Sequence, residues 1–174
     1  YSEAVQALNT VVKESSDARL TKESLSLLGT VYEQTGVAVQ ADAVYAQMIE
    51  RYPDERAQAW YKRGMLAYGQ RDYEKALADF REAENSGFHT DELRYYQALS
   101  AESLDRFDEA RSYYADLAAH YPQSIFAGKA FVRLGRFYEK KGDSQNALRM
   151  YQQALASAVD ESEFVKERIA QLAR

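Results

Sequence analysis

One pattern recurs along this chain and narrows the folds open to it. An alanine stands four residues before an aromatic side chain at Ala41–Tyr45, Ala76–Phe80, Ala110–Tyr114 and Ala147–Tyr151, at intervals of 35, 34 and 37 residues. Ala4 and Leu8 continue the series 37 residues further back. Twelve residues before the four alanines lie Gly29, Gly64, Ala98 and Gly135, small residues that let two helices approach closely. Around the glycines, apolar residues fall at helical spacing, as in Leu25, Leu28 and Tyr32 or Phe131, Leu134 and Tyr138. Between the halves sit short turns, Thr35-Gly36, Gln70-Arg71-Asp72, Asp105-Arg106 and Lys141-Gly142-Asp143, with Gly or Asp where one helix ends and the next is capped. A helix pair of this length cannot bury its apolar face alone, so the period itself predicts stacking.

These residues resemble the tetratricopeptide repeat family, whose pattern is Trp-x2-Leu-Gly-x2-Tyr, then Ala-x3-Phe, then Pro. Leu28, Gly29, Tyr32, Ala41, Tyr45 and Pro53 fill the slots of one repeat, and Trp60, Gly64, Ala76, Phe80 and Ala83 those of the next. Ala110, Tyr114 and Pro122 follow, then Leu134, Gly135, Tyr138, Ala147, Tyr151 and Ala154. Arg63 and Gln97 stand where leucine is usual, Ala67 and Ala101 replace tyrosine, and Phe88 and Val159 replace proline. The resemblance implies an all-α fold, a right-handed α-solenoid of antiparallel helix pairs. It assigns repeats to 22–55, 57–90, 91–124 and 128–161, the second helix of a truncated repeat to 1–19, and a capping helix or the start of a further repeat to 162–174. Ala4, Leu8 and Val11 are expected on the packed face of the first segment, and Val165, Ile169 and Leu172 on that of the last.

Composition removes whole classes of function. A net charge of −5 disfavours a general nucleic-acid groove, which needs a basic surface to neutralise phosphates. The charge is uneven, −8 over residues 1–127 and +3 over 128–174. No apolar run reaches the roughly 18 residues that span a bilayer. Tyr1-Ser-Glu-Ala opens without the charged and apolar regions of a signal peptide and without Met, so an excised piece of a longer chain is expected. There is no cysteine, and His89 and His120 alone supply imidazole, each beside a helix end where capping accounts for it. No Gly-rich loop, nucleophile elbow or metal-spaced ligand set occurs, so no catalytic residue, metal or cofactor is assigned and the chain is read as a non-enzyme. Asp105, Asp108 and Glu109 fall at a turn and a helix start, where they favour the helix dipole.

In a stacked array the inner, concave wall is lined mainly by the first helix of each pair. In this register it presents Tyr61, Met65 and Tyr68, then Tyr95, Leu99 and Glu102, then a basic stripe of Lys129, Arg133, Arg136 and Lys140 spaced 4, 3 and 4 on one helix face. Exposed tyrosines with an apolar body and a polar tip suit an interface. The competing reading tucks two or three of them against neighbouring helices, and leaves the basic stripe as a solvated face or pairs it with acidic neighbours. Ser26, Thr30, Tyr61 and Met65 lack the Lys and Asn that chaperone-binding relatives use to grip a terminal carboxylate. The expectation is a protein-interaction scaffold whose partner, an extended peptide or a folded domain, lies on the concave wall. The phrases Glu50-Arg51-Tyr52-Pro53 and Ala119-His120-Tyr121-Pro122, the latter running on into Gln-Ser-Ile-Phe-Ala-Gly-Lys-Ala, are similar to repeats of bacterial cell-envelope proteins. They point to the periplasm or envelope, with the cytoplasm as the other possibility. The alternative function is a periplasmic module of exopolysaccharide export that guides a polysaccharide or recruits a polymer-modifying enzyme.

Overall fold

A computed structural model describes residues 2–157 and 162–173. The described residues form ten helices: α1 (Ser2–Glu14), α2 (Ala18–Gln34), α3 (Ala38–Arg51), α4 (Arg56–Gly69), α5 (Tyr73–Asn85), α6 (Asp91–Ser103), α7 (Phe107–His120), α8 (Ile125–Lys140), α9 (Ser144–Ala156) and α10 (Ser162–Leu172). This is the all-α arrangement of antiparallel pairs that the period predicts, α2/α3, α4/α5, α6/α7 and α8/α9. The chain divides into two compact units, residues 1–88 and 89–174. The end of the fourth expected repeat, 158–161 with Val159, lies outside the described residues.

Each pair closes in the same way. The turn between its helices carries one residue in the left-handed region, five positions before the repeat's alanine: Gly36 (φ 71°), Arg71 (φ 63°), Asp105 (φ 58°) and Gly142 (φ 75°). The next amide then reaches back five residues to satisfy an orphan carbonyl, as Val37 N–H to Tyr32 O (2.9 Å) and Asp143 N–H to Tyr138 O (2.9 Å) do. Asp72 and Asp143 cap the second helices by accepting from Lys75 N–H and Asn146 N–H. Thr90 and Ser124 cap α6 and α8.

The glycines of the motif are seats for rings. A Cβ built at Gly29 would lie 2.8 Å from the Tyr45 ring, one at Gly64 2.6 Å from Phe80, and one at Gly135 2.6 Å from Tyr151. Each ring comes from the partner helix sixteen residues on and is buried there. This is the close approach that the small-residue spacing predicts.

In the first unit, Leu25, Leu28, Val44, Tyr45 and Met48 form a core against which α1 lays Val5, Leu8 and Val12. The packed face of α1 is therefore turned one position from the expected Ala4–Leu8–Val11 face, and Ala4 is exposed. Val5, Leu8 and Val12, at i, i+3 and i+7, bury more apolar area than a face led by that alanine could. In the second unit, α10 covers the end of the array, with Val165 fully buried against Tyr151 and Ala154 and with Ile169 and Leu172 packed beside it.

Candidate functional site

Three repeats build the same polar triad. The buried Tyr114 hydroxyl donates to Glu102 Oε2 (2.7 Å), and Arg133 Nη1 donates to Glu102 Oε1 (3.1 Å). Tyr151 donates to Glu139 Oε2 (2.6 Å), whose other oxygen takes bonds from Arg168 Nε (3.0 Å) and Nη2. Tyr45 pairs with Glu33, and Lys62 Nζ lies 3.7 Å from the same carboxylate. The tyrosine always lies twelve residues after its glutamate. Burial first, then the adjacent carboxylate, pushes all three phenols well above their ordinary range. Burial acts to raise Glu139, but its bonds to Arg168 and Tyr151 outweigh this and hold it below its usual value.

Beside the triad of Glu102, Tyr114 and Arg133 the second unit opens a cleft of about 180 Å³. The start of α7 contributes Phe107, Ala110 and Arg111 and the C-terminal half of α8 contributes Leu134, Arg136, Phe137 and Lys140, with Glu102, Tyr114 and Arg133 also lining it. Leu134 and Ala110 are buried and floor it, whereas Phe107 remains 40% exposed. The rings are flanked by cations: Arg111 lies 5.6 Å and Lys141 5.5 Å from the Phe137 centroid, and Lys140 4.7 Å from that of Phe107. A second opening of about 350 Å³ shares Phe107, Phe137 and Lys140 and continues to Asp105, Asp108 and Lys141. Such a site can hold an apolar group and an anion together. Among the described residues no three His, Asp or Glu side chains converge to hold a metal ion, and no helix is long and apolar enough to cross a membrane.

Models of the tetratricopeptide repeat match residues 23–55, 57–85, 92–124 and 130–163, most of the chain. The chain belongs to the tetratricopeptide repeat family. It is thereby a protein of the interaction-scaffold class. Among solved structures it is similar to a crystal structure of MamA, at 22% identity over 93% of this chain and 89% of that one, with a TM-score of 0.75. MamA 41-end from Desulfovibrio magneticus RS-1 matches at 18% identity, covering 90% of this chain and 84% of that one, with a TM-score of 0.71. BtubC from P. vanneervenii matches at 17% identity, covering 98% and 79%, with a TM-score of 0.70. At such identities the likeness is one of fold. No curated protein matches the chain.

Within these tetratricopeptide repeats the expected wall residues part ways. Tyr61, Met65 and Tyr68 belong to the first unit, and Tyr95, Leu99, Glu102, Lys129, Arg133, Arg136 and Lys140 to the second. Tyr61 and Tyr95 do not offer open surface, being only 8% and 9% exposed. The Tyr61 ring stacks on Phe88 at 4.6 Å, and Tyr95 lies 5.2 Å from Phe126 and 6.1 Å from Tyr114. Phe88, which stands where the repeat usually has proline, is thus the cover for Tyr61. Met65, Tyr68 and Leu99 are half-buried, and Tyr68 meets Tyr73 edge-on at 5.5 Å. Val132, next to Arg133 on α8, is 2% exposed and part of the core.

The basic stripe holds together on α8 but faces several neighbours. Lys129 lies over Phe126, Arg133 pairs with Glu102, Arg136 sits 4.5 Å from the Phe164 ring, and Lys140 covers Phe107. Four expected residues, Glu102, Arg133, Arg136 and Lys140, meet at the cleft. Sequence reasoning missed Phe107, Arg111 and Phe137. The doublet Phe137-Tyr138 was the available signal, since a helix with one packed face needs only one of two adjacent aromatics inside.

Proposed function

We propose that this chain is a non-enzymatic interaction scaffold that takes an acidic segment of a partner protein along the basic stripe of α8. The supporting observation is the stripe itself, four cations on one helix face, three of which, Arg133, Arg136 and Lys140, line one cleft. Residues 128–174 carry +3 in a chain whose remainder carries −8, so an anionic segment gains attraction at this end and is repelled elsewhere. The test is titration of a fluorescein-labelled dodecamer of Asp, Glu and Ser against the chain and against Lys129→Glu/Arg136→Glu/Lys140→Glu. Binding should weaken at least about tenfold in the variant and fall as salt rises from 50 to 500 mM, because contacts on exposed charges are screened. Equal affinity of the two proteins would sink the proposal.

The polysaccharide reading loses support, because Tyr61 and Tyr95, two of the aromatic wall residues that would face a polymer, are covered by Phe88 and Phe126. The shared phrases around Pro53 and Pro122 support placement in a bacterial cell envelope. Fractionation of the tagged full-length protein tests this, and recovery in the cytosol alone would overturn it.

A further inference from the structure

We infer that the cleft between Phe107 and Phe137 seats one bulky apolar side chain of the partner's acidic segment, with that segment's neighbouring carboxylates on Arg136 and Lys140. This rests on the acidic-segment reading above and adds to it an anchor, a seat and a direction.

The size of the cavity points to a side chain. At about 180 Å³ it lies below the roughly 300–1,000 Å³ of small-molecule sites, yet its floor and walls are apolar, formed by Ala110, Leu134, Phe107 and Phe137. Phe107 is among the few large apolar residues left exposed, and its position in the first turn of α7 keeps its ring at the cleft mouth. An anchor there would bury that ring as well as itself. A docked side chain in a desolvated pocket is the usual source of affinity in peptide recognition.

The charges select the rest of the segment. Arg111, Arg133, Arg136 and Lys140 surround the cavity, while the single carboxylate among its lining residues, Glu102, is already bonded to Tyr114 and Arg133. The α7 side of the rim sets Arg111 beside Asp108 at 3.8 Å, whereas the α8 side lines the cavity with three cations, Arg133, Arg136 and Lys140, and is the more positive one. The adjoining opening presents Asp105 and Asp108 as well as Lys141. An acidic chain is repelled from that end, so its carboxylates run from the anchor toward Arg136 rather than toward Asp108.

The experiment compares two fluorescein-labelled dodecamers of Asp, Glu and Ser, identical except that one carries a central Phe where the other carries Ser, by polarisation against the 174-residue chain. The Phe peptide should bind at least about tenfold tighter, the gain expected from burying one large apolar side chain. That margin should shrink to about threefold or less in Phe107→Ala, and Lys140→Gln should weaken both peptides. Amide shifts in a ¹⁵N spectrum should cluster at residues 107–111 and 134–140. Equal affinity of the two peptides overturns the anchor and leaves the acidic-segment reading standing, whereas failure of both peptides to bind overturns both. A margin unchanged in folded Phe107→Ala, or shifts centred elsewhere, overturns the seat.

Discussion

The repeat at 57–90 differs from the other three in one linked pair of positions. At 33 and 45, 102 and 114, and 139 and 151 the chain has glutamate with tyrosine; at 68 and 80 it has tyrosine with phenylalanine. The seat is the same in every other respect, since Phe80 lies against Gly64 as Tyr151 lies against Gly135. A buried hydroxyl is tolerated where a carboxylate receives it, and where the carboxylate is absent the hydroxyl is absent too. The shape of the ring thus belongs to the repeat, and its polar tip belongs to the joint with the following first helix. Glu102 reaches Arg133 on α8 and Glu139 reaches Arg168 on α10. The repeat without the triad is the last of the first unit.

The strongest test addresses what the repeats share. Gly64→Val and Gly135→Val should each lose about 3 kcal/mol in urea unfolding, because the new side chain meets a fully buried ring with nowhere to move. Ala98, fully buried in the equivalent slot before Tyr114, already carries a methyl group, so Ala98→Gly should cost only about 1 kcal/mol, mostly from helix propensity. Losses below about 1 kcal/mol at both glycines would show that the ring is not confined and that the small residue serves some other purpose.

The next effect is peculiar to 57–90. Asp79 is 5% exposed, and its Oδ2 has no hydrogen-bond donor; Arg63 Nε stops 3.7 Å away because it donates instead to Asp42 at 2.9 Å. Burial raises the Asp79 carboxyl to about 6, against the partial relief of Arg63 and Lys75, while Asp42 and Asp72 add to the rise. The folded state therefore binds this proton more tightly than the unfolded chain, whose value is near 3.8. Between about pH 4 and 6 the contribution to stability falls as pH rises, and the penalty is complete above it. Asp79→Asn should gain about 1–2 kcal/mol at pH 7.5 and little at pH 4, followed through Trp60, whose place in the first unit makes it a local reporter. A gain equal at both pH values would remove the titration from the account.

How far the sequence could carry this reading depends on the range of each interaction. Helix pairing, the glycine seats and the turns follow from residues within one repeat, so a single repeat's spacing discloses them. The exposure of Tyr61 and Tyr95 is not disclosed in this way, because it is settled by Phe88 and Phe126, 27 and 31 residues further on and not among the residues that recur. A helical wheel places both tyrosines on the wall and is silent about what arrives to cover them. The cleft is still less legible, since it needs the start of α7 and the end of α8 in register. Its basic residues could be read from the 4, 3, 4 spacing, but Phe107 looks from sequence like any aromatic at a helix start. The triad was readable in principle, as glutamate and tyrosine twelve apart in three repeats and neither at its matching position in 57–90.

Transplanting that pair sharpens the comparison directly. Tyr151→Phe should cost about 1 kcal/mol, because Glu139 keeps Arg168 but loses a buried donor. Phe80→Tyr should cost a similar amount for the opposite reason, a buried hydroxyl brought in where position 68 is not a carboxylate. Phe80→Tyr/Tyr68→Glu should then be more stable than the sum of its single changes by about 1 kcal/mol. Additive behaviour in that double-mutant cycle would mean that the recurrence of glutamate with tyrosine does not reflect coupling.

The smallest expected effect divides the repeats along another line. The left-handed turn position is glycine in the first and fourth repeats, at Gly36 and Gly142, but arginine and aspartate in the middle two, at Arg71 and Asp105. A side chain with a Cβ is strained there by about 1 kcal/mol, though glycine gives back part of the relief through the entropy it restores to the unfolded chain. Both side chains are exposed, so little packing is lost on replacement. Arg71→Gly and Asp105→Gly should therefore each stabilise the fold by a few tenths to about 1 kcal/mol, and Gly142→Ala should destabilise it by a comparable amount. Asp105 should gain less than Arg71, because aspartate tolerates the left-handed region better than arginine does. The reverse order in thermal midpoints would show that these side chains contribute contacts at the turn that outweigh their backbone strain.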